Sequence, residues 1–270
     1  MNRKEYTIME KFIVYEFQVF APVRIGQIAG YAFLDTGAAS SRIYQSFSSN
    51  LSKTGTTQLQ GALGATLVEQ CKLDRVNLLG HDFLDVVAKV QPDEAGGFQA
   101  LPFPVVMTVG ADILFQKALY LECAAGRVGF LESVPPEWEK RGQVIDLRFE
   151  KSFAFFNISL GSHGLKAGFD VGAGYCVLNA RCLDRLQADL IEQQPEETSD
   201  STGAKAWIPV YKHPALEVNG CCLGEIRFLL MDLTGVEKAL NVAVDFIFGF
   251  NAMVNHNWIV DKSNHRLLIL

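Results

Sequence analysis

The chain has 270 residues, 49% of them apolar and 20% charged, with a net charge of −6. That is the composition of a globular protein with enough chain for one large domain or two ordinary ones. No apolar run is long enough to cross a bilayer as a helix, and no basic run marks a surface for nucleic acid or anionic membrane, so neither is expected as a partner. Residues 1–20 mix acids with apolar side chains and show no small-residue cleavage site, so no signal peptide is expected. The six cysteines, Cys71, Cys123, Cys176, Cys182, Cys221 and Cys222, form no C-x-x-C pair and no Cys/His spacing that suits zinc. They read as thiols packed in a reducing compartment, which points to the cytoplasm.

In chain order, residues 12–20 (FIVYEFQVF) form an alternating apolar run. A turn at Ile25-Gly26-Gln27-Ile28 leads into a second strand, Tyr31 to Leu34, which ends at Asp35-Thr36-Gly37-Ala38. Residues 66–79 continue the strand pattern, with Asp74, Asp82 and Asp85 read as a solvated hairpin. Val105 to Val109 is an apolar strand closed by Gly110, after which Asp112 is suited to cap a helix. Residues 118–132 read as a hairpin, and residues 132–142, with Pro135, Pro136 and several charges, read as a linker. The expected division is a lobe of residues 1–137 and a lobe of residues 138–270.

The second half repeats the first. A turn at Leu160-Gly161-Ser162-His163 precedes a strand ending at Asp170-Val171-Gly172-Ala173, 135 residues after the first acid. Asn179 is read as the N-cap of a helix running to Gln193, with Leu183, Leu186, Leu190 and Ile191 on one face. Residues 224–233 are strand-like. Ala243 to Phe248 is a strand before Gly249, with Asn251 as a helix cap, and residues 257–270 form a closing hairpin. The fold class is therefore all-β: two similar lobes with a few short helices.

Two lobes that each present one Asp on the same turn would bring two carboxyl groups together across a pseudo-twofold axis. Such a pair cannot lose both protons cheaply, so one member accepts a proton from water while the other polarises a carbonyl. The aspartic-protease dyad is the established example of this split. Phe33-Leu34-Asp35-Thr36-Gly37-Ala38, with Val109-Gly110-Ala111-Asp112 and Arg127-Val128-Gly129-Phe130, resembles the aspartic proteases, and most closely a single-chain, two-lobed relative of the retropepsins. Lobe two carries the resemblance more loosely, through Phe169-Asp170-Val171-Gly172-Ala173 and Ile247-Phe248-Gly249.

The resemblance implies two retropepsin-like β-barrel lobes with a cleft between them, and Asp35 and Asp170 as catalytic residues of an aspartic endopeptidase. It also implies a peptide or protein substrate, no cofactor and no metal. Because one chain supplies both acids, a monomer suffices. Gly37 and Gly172 would keep side chains away from the acids, and Thr36 would hydrogen-bond across to the opposite turn. Ala38 and Ala173 stand where pepsin-like enzymes often carry a hydroxyl, so an optimum nearer neutral pH is expected. Flaps are implied at Gly61-Ala62-Leu63-Gly64 and at Thr202-Gly203-Ala204. The departure is Val171, where the family pattern has a hydroxyl.

Two other function classes fit parts of the pattern. Actin-like proteins and sugar kinases also carry two Asp-x-Gly turns after buried strands, but build them on alternating strand–helix units in longer chains. A non-catalytic relative that binds extended peptides would tolerate Val171.

Overall fold

The computed structural model describes residues 8–61, 64–199 and 204–270. The expected flap residues Ala62, Leu63, Thr202 and Gly203 lie outside the described residues.

The chain opens with β1 (Met9–Lys11), β2 (Ile13–Tyr15), β3 (Gln18–Ile25), β4 (Ile28–Leu34) and β5 (Arg42–Tyr44). It continues through β6 (Ser52–Gln60), β7 (Ala65–Leu78), β8 (His81–Gln91), β9 (Val105–Val109), α1 (Ala111–Leu114), β10 (Ala118–Glu122) and β11 (Arg127–Leu131). After α2 (Pro136–Arg141) come β12 (Gln143–Asp146), β13 (Arg148–Glu150), β14 (Phe153–Leu160), β15 (His163–Phe169) and β16 (Cys176–Asn179). The last elements are α3 (Leu183–Leu186), β17 (Ile191–Ser199), β18 (Lys205–Val218), β19 (Cys221–Met231), α4 (Thr234–Leu240), β20 (Phe246–Phe248), β21 (Asn257–Asp261) and β22 (Arg266–Ile269).

The repeat read in the sequence is a repeat of topology. One eight-stranded sheet runs β2-β3-β4-β9-β5-β8-β7-β6, and the other runs β13-β14-β15-β20-β16-β19-β18-β17. Position for position, these are the same order. In each, the strand leading to the acid lies parallel to the later apolar strand: Leu34 pairs with Val109, and Phe169 with Phe248. A third, six-stranded sheet, β1-β11-β10-β21-β22-β12, takes strands from both halves. Its centre is the antiparallel pairing of β10 with β21, Leu121 opposite Trp258.

Alternation explains how each strand serves two layers. On β3, Val19, Ala21, Val23 and Ile25 enter the main core while Phe20 joins an aromatic cluster on the other face. On β4, Ala32 and Leu34 point inward and Phe33 outward. On β16, Cys176 and Leu178 point inward and Val177 outward. The main core continues from one lobe into the other beneath the acidic turns, where Phe169, Phe248 and Trp258 are fully buried.

Both hairpin turns read before the acid-bearing strands are present, with Gly26 at φ 57° and Gly161 at φ 56°, conformations that favour glycine. The expected linker is a short helix with Pro136 in its first turn, where a missing N–H costs nothing. Its Trp138 ring lies 5.0 Å from that of Tyr120.

Two expectations are corrected. The helix expected from Asn179 to Gln193 is only a short 3₁₀–α–3₁₀ run ending by Asp189, followed by strand β17. Asn179 does cap that run and Leu186 is buried, but Leu190 is extended and Ile191 is 55% exposed. Residues Ile191–Ser199 gain a long ladder with β18, and that pairing overrides the helical spacing. Asp112 and Asn251 are not helix caps: the backbone groups before the two short helices are Gly110 and Gly249. The two side chains instead hold the acid-bearing turns, as described below.

Among the described residues, no helix is long and apolar enough to cross a membrane. All six cysteines are unpaired.

Candidate active site

Asp35 and Asp170 sit where their strands end, each hung from the neighbouring parallel strand by the same bond. The Asp35 N–H donates to Val109 O and the Asp170 N–H to Phe248 O, both at 3.0 Å. The chain then turns back over the later strand, and the two landmark glycines make room for it. A Cβ on Gly110 would lie 2.7 Å from Ala38 O, and one on Gly249 would lie 2.5 Å from the Tyr175 carbonyl carbon. Ala111 N–H donates to Ala38 O at 2.8 Å and Phe250 N–H to Ala173 O at 2.7 Å, closing each turn in the same way.

The far end of each turn is anchored by a buried polar side chain six residues after the acid. In lobe one Ser41 Oγ accepts from Gly110 N–H at 3.1 Å and donates to Asp112 Oδ1 at 2.8 Å. In lobe two the Cys176 sulfur accepts from Gly249 N–H at 3.3 Å, and Cys176 N–H donates to Asn251 Oδ1 at 2.8 Å. This is the role of Asp112 and Asn251. Cys176 is thus tied into the turn through both its sulfur and its backbone N–H. Burial pushes its thiol up to about 12, which suppresses the reactive thiolate.

The two turns face each other. Gly37 N–H donates across the interface to Asp170 Oδ1 at 2.9 Å, and Gly172 N–H donates to the same oxygen at 2.8 Å from within its own turn. Ala38 N–H donates to Asp35 Oδ1 at 2.8 Å. Added Cβ atoms measure how close the acids stand to the opposite turn. One on Gly37 would lie 2.3 Å from Asp170 Oδ2, and one on Gly172 would lie 2.6 Å from Asp35 Oδ1. A side chain at either place would have to displace the opposite acid. Thr36 is fully buried; its hydroxyl donates to Phe169 O at 3.3 Å and accepts from Val171 N–H at 2.9 Å. Val171, at the mirror position, is also fully buried and offers no hydroxyl in return.

Electrostatically the pair is unequal. Burial, and after it the charge of Asp35, raises the Asp170 carboxyl from 3.8 to about 7 despite hydrogen bonds from Gly172, Gly37 and Ala173 N–H that favour its ionised form. On the other side, Arg42 Nη1 lies 3.9 Å from Asp35 Oδ2, and Arg42 is only 7% exposed. Burial and the neighbouring charge therefore favour the protonated form of Asp170, while the Arg42 cation stands beside Asp35.

Of the expected site residues, the structure brings Asp35, Thr36, Gly37 and Ala38 together with Asp170, Val171, Gly172 and Ala173. Gly61 and Gly64 close the β6–β7 hairpin, with Gly61 N–H donating to Gly64 O at 2.8 Å. Ala204 precedes β18, and the paired strand β17 approaches residues 95–100 of lobe one. A cavity of about 460 Å³ lies beside the lobe-one aromatic cluster, lined by Tyr44, Phe47, Phe98 and Phe103; the two acids are not part of its wall.

The sequence reading missed Arg42 and Ser41. A signal for Arg42 was present: carrying the repeat seven residues past each acid places it opposite Val177, a charge against an apolar side chain. No family model matches the chain, and no curated protein matches it significantly.

Proposed function

We propose that the protein is an aspartic endopeptidase with two retropepsin-like lobes, hydrolysing peptide bonds with a water activated between Asp35 and Asp170. The observation that carries this reading is the pair of carboxyl groups on facing, topologically equivalent turns, each in close approach to the glycine of the opposite turn. The ionised carboxylate takes a proton from the water as its oxygen attacks the peptide carbonyl carbon. The proton on Asp170 moves to the carbonyl oxygen, giving a neutral tetrahedral diol. The proton just taken up then passes to the amide nitrogen as the C–N bond breaks, while a diol hydroxyl returns its proton to the acid site. The products are a carboxylic acid and an amine, with no covalent enzyme intermediate. The paired strands β6–β7 and β17–β18, which lead to the two expected flaps, serve as lids over the extended substrate.

The test is digestion of a mixed peptide library across acidic to neutral pH, read by mass spectrometry, with Asp35→Asn and Asp170→Asn alongside. Cleavage that both substitutions abolish supports the dyad, and cleavage that survives either one rejects it. The missing hydroxyl at Val171 favours a second reading, a peptide-binding relative without turnover; binding with no cleavage by the folded native protein would select it. The ATPase alternative needs long alternating helices, and the α-helices among the described residues reach seven residues at most.

A further inference from the structure

Cross-strand register puts Arg42 of β5 beside Lys89 of β8 and Thr108 of β9, on one face of the lobe-one sheet next to Asp35. The guanidinium has five N–H donors. Among the described residues it makes no hydrogen bond, and its single ion contact, 3.9 Å to Asp35, is longer than one. None of the fully enclosed side-chain polar atoms left without a partner among the described residues belongs to Arg42: two lie elsewhere, at Gln143 and Asn257, and the third is Oε1 of Gln91, whose Nε2 donates to Thr108 Oγ1 at 3.2 Å. Lys89 is half-buried; its ammonium donates to Gln58 O at 2.9 Å at the base of the Gly61 hairpin, and burial and then the Arg42 charge hold it below its ordinary range. Two cations thus crowd together at a partly dry site in a chain whose net charge is −6.

The second lobe supplies an internal control. The positions equivalent to Arg42, Lys89 and Thr108 by register are Val177, Leu229 and Ile247, all apolar. The cationic corner is therefore not something the fold requires at that place.

We propose that Arg42 and Lys89 form a recognition pocket for a substrate carboxylate, so that the preferred peptide carries an Asp or Glu side chain on the lobe-one side of Asp35. This rests on the peptidase reading and narrows it to acidic peptides. A guanidinium fork matches a carboxylate in two parallel hydrogen bonds, and a nearby ammonium adds charge.

The experiment uses acetylated, amidated peptides, in which only side chains supply carboxylates, with Glu or Gln placed at successive positions around an apolar residue. Cleavage by the native protein is compared with Arg42→Gln, Arg42→Lys and Lys89→Met. Binding of the same peptides is measured by fluorescence anisotropy on the Asp170→Asn protein, which needs no turnover. At one position Glu is expected to be favoured over Gln by about 10- to 100-fold in kcat/KM, through KM. Arg42→Gln should abolish that ratio, Arg42→Lys should keep part of it, and Lys89→Met should reduce it. The ratio is the readout because loss of the contact with Asp35 alone would slow both peptides equally. Equal handling of Glu and Gln by the native protein, or a ratio unchanged in both Arg42→Lys and Lys89→Met, would overturn the proposal. Glu-selective binding without cleavage would sink the peptidase reading while supporting the pocket.

Discussion

Thr36→Val tests the cross-lobe bonding most directly. The substitution nearly conserves shape but removes a hydroxyl that makes two bonds, to Phe169 O at 3.3 Å and from Val171 N–H at 2.9 Å. Thr36 and Val171 are both fully buried, so water cannot replace either bond. Leaving a buried donor or acceptor unpaired costs about 1–3 kcal/mol each. The long bond to Phe169 lies at the low end, which gives a loss of about 2–4 kcal/mol. For a chain of this size, that lowers Tm by roughly 5–10 °C, measurable by circular dichroism. Thr36→Ser keeps the hydroxyl and is expected to lose less than about half as much. The pseudo-symmetry adds a sharper test: Thr36→Val with Val171→Thr moves the hydroxyl to the mirror turn. The double variant is expected to recover stability relative to Thr36→Val, with a coupling of about 1 kcal/mol or more. A Thr36→Val protein melting within about 2 °C of native would refute the reasoning, because the bonds would then carry no net free energy.

Asp170 gives a pH test. Its folded-state value is raised from 3.8 to about 7, so the folded protein keeps a proton that the unfolded chain releases across that window. Stability contributed by this group therefore falls as pH rises from about 4 to about 7, by at most about 4 kcal/mol. Asp170→Asn should flatten that slope and be the more stable protein above neutrality; denaturant midpoints at several pH values check it, and a native slope of the opposite sign would contradict it. Gly37→Ala places a methyl 2.3 Å from Asp170 Oδ2 and is expected to displace the carboxyl, abolishing cleavage with a stability loss of about 2 kcal/mol or more; retained activity would mean that the turns stand further apart. Cys176→Ser supplies an acceptor for Gly249 N–H like the one Ser41 gives Gly110, so it should cost less than about 1.5 kcal/mol, whereas Cys176→Ala leaves that N–H bare and should cost more. Equal losses would show that the sulfur bond carries nothing.

Much of the fold was legible before any coordinates, because local rules write it into the chain. Alternating apolar residues state which strands have a buried face. Gly26 and Gly161 mark the hairpins with residues suited to a left-handed backbone, and the recurrence of Asp-x-Gly at half-length announces two lobes. The helix expected after Asn179 fails for a physical reason of the same kind: Leu183, Leu186, Leu190 and Ile191 have helical spacing, but a strand partner in β18 offers Ile191–Ser199 a full ladder of backbone bonds. Spacing within a segment cannot report a competitor far along the chain.

The same limit separates what the sequence decided about the site from what the tertiary structure decided. The sequence alone determined that an acid follows each buried strand and that a glycine must follow each acid. Only the assembled lobes bring Gly37 against Asp170 and Gly172 against Asp35, put Thr36 between Phe169 and Val171, and turn Asp112 and Asn251 from expected caps into anchors. Only the sheet register sets Arg42 beside Lys89 and Asp35. Charge and hydrogen bonding act over a few ångströms, and residues more than a hundred positions apart reach that range only once the chain has folded.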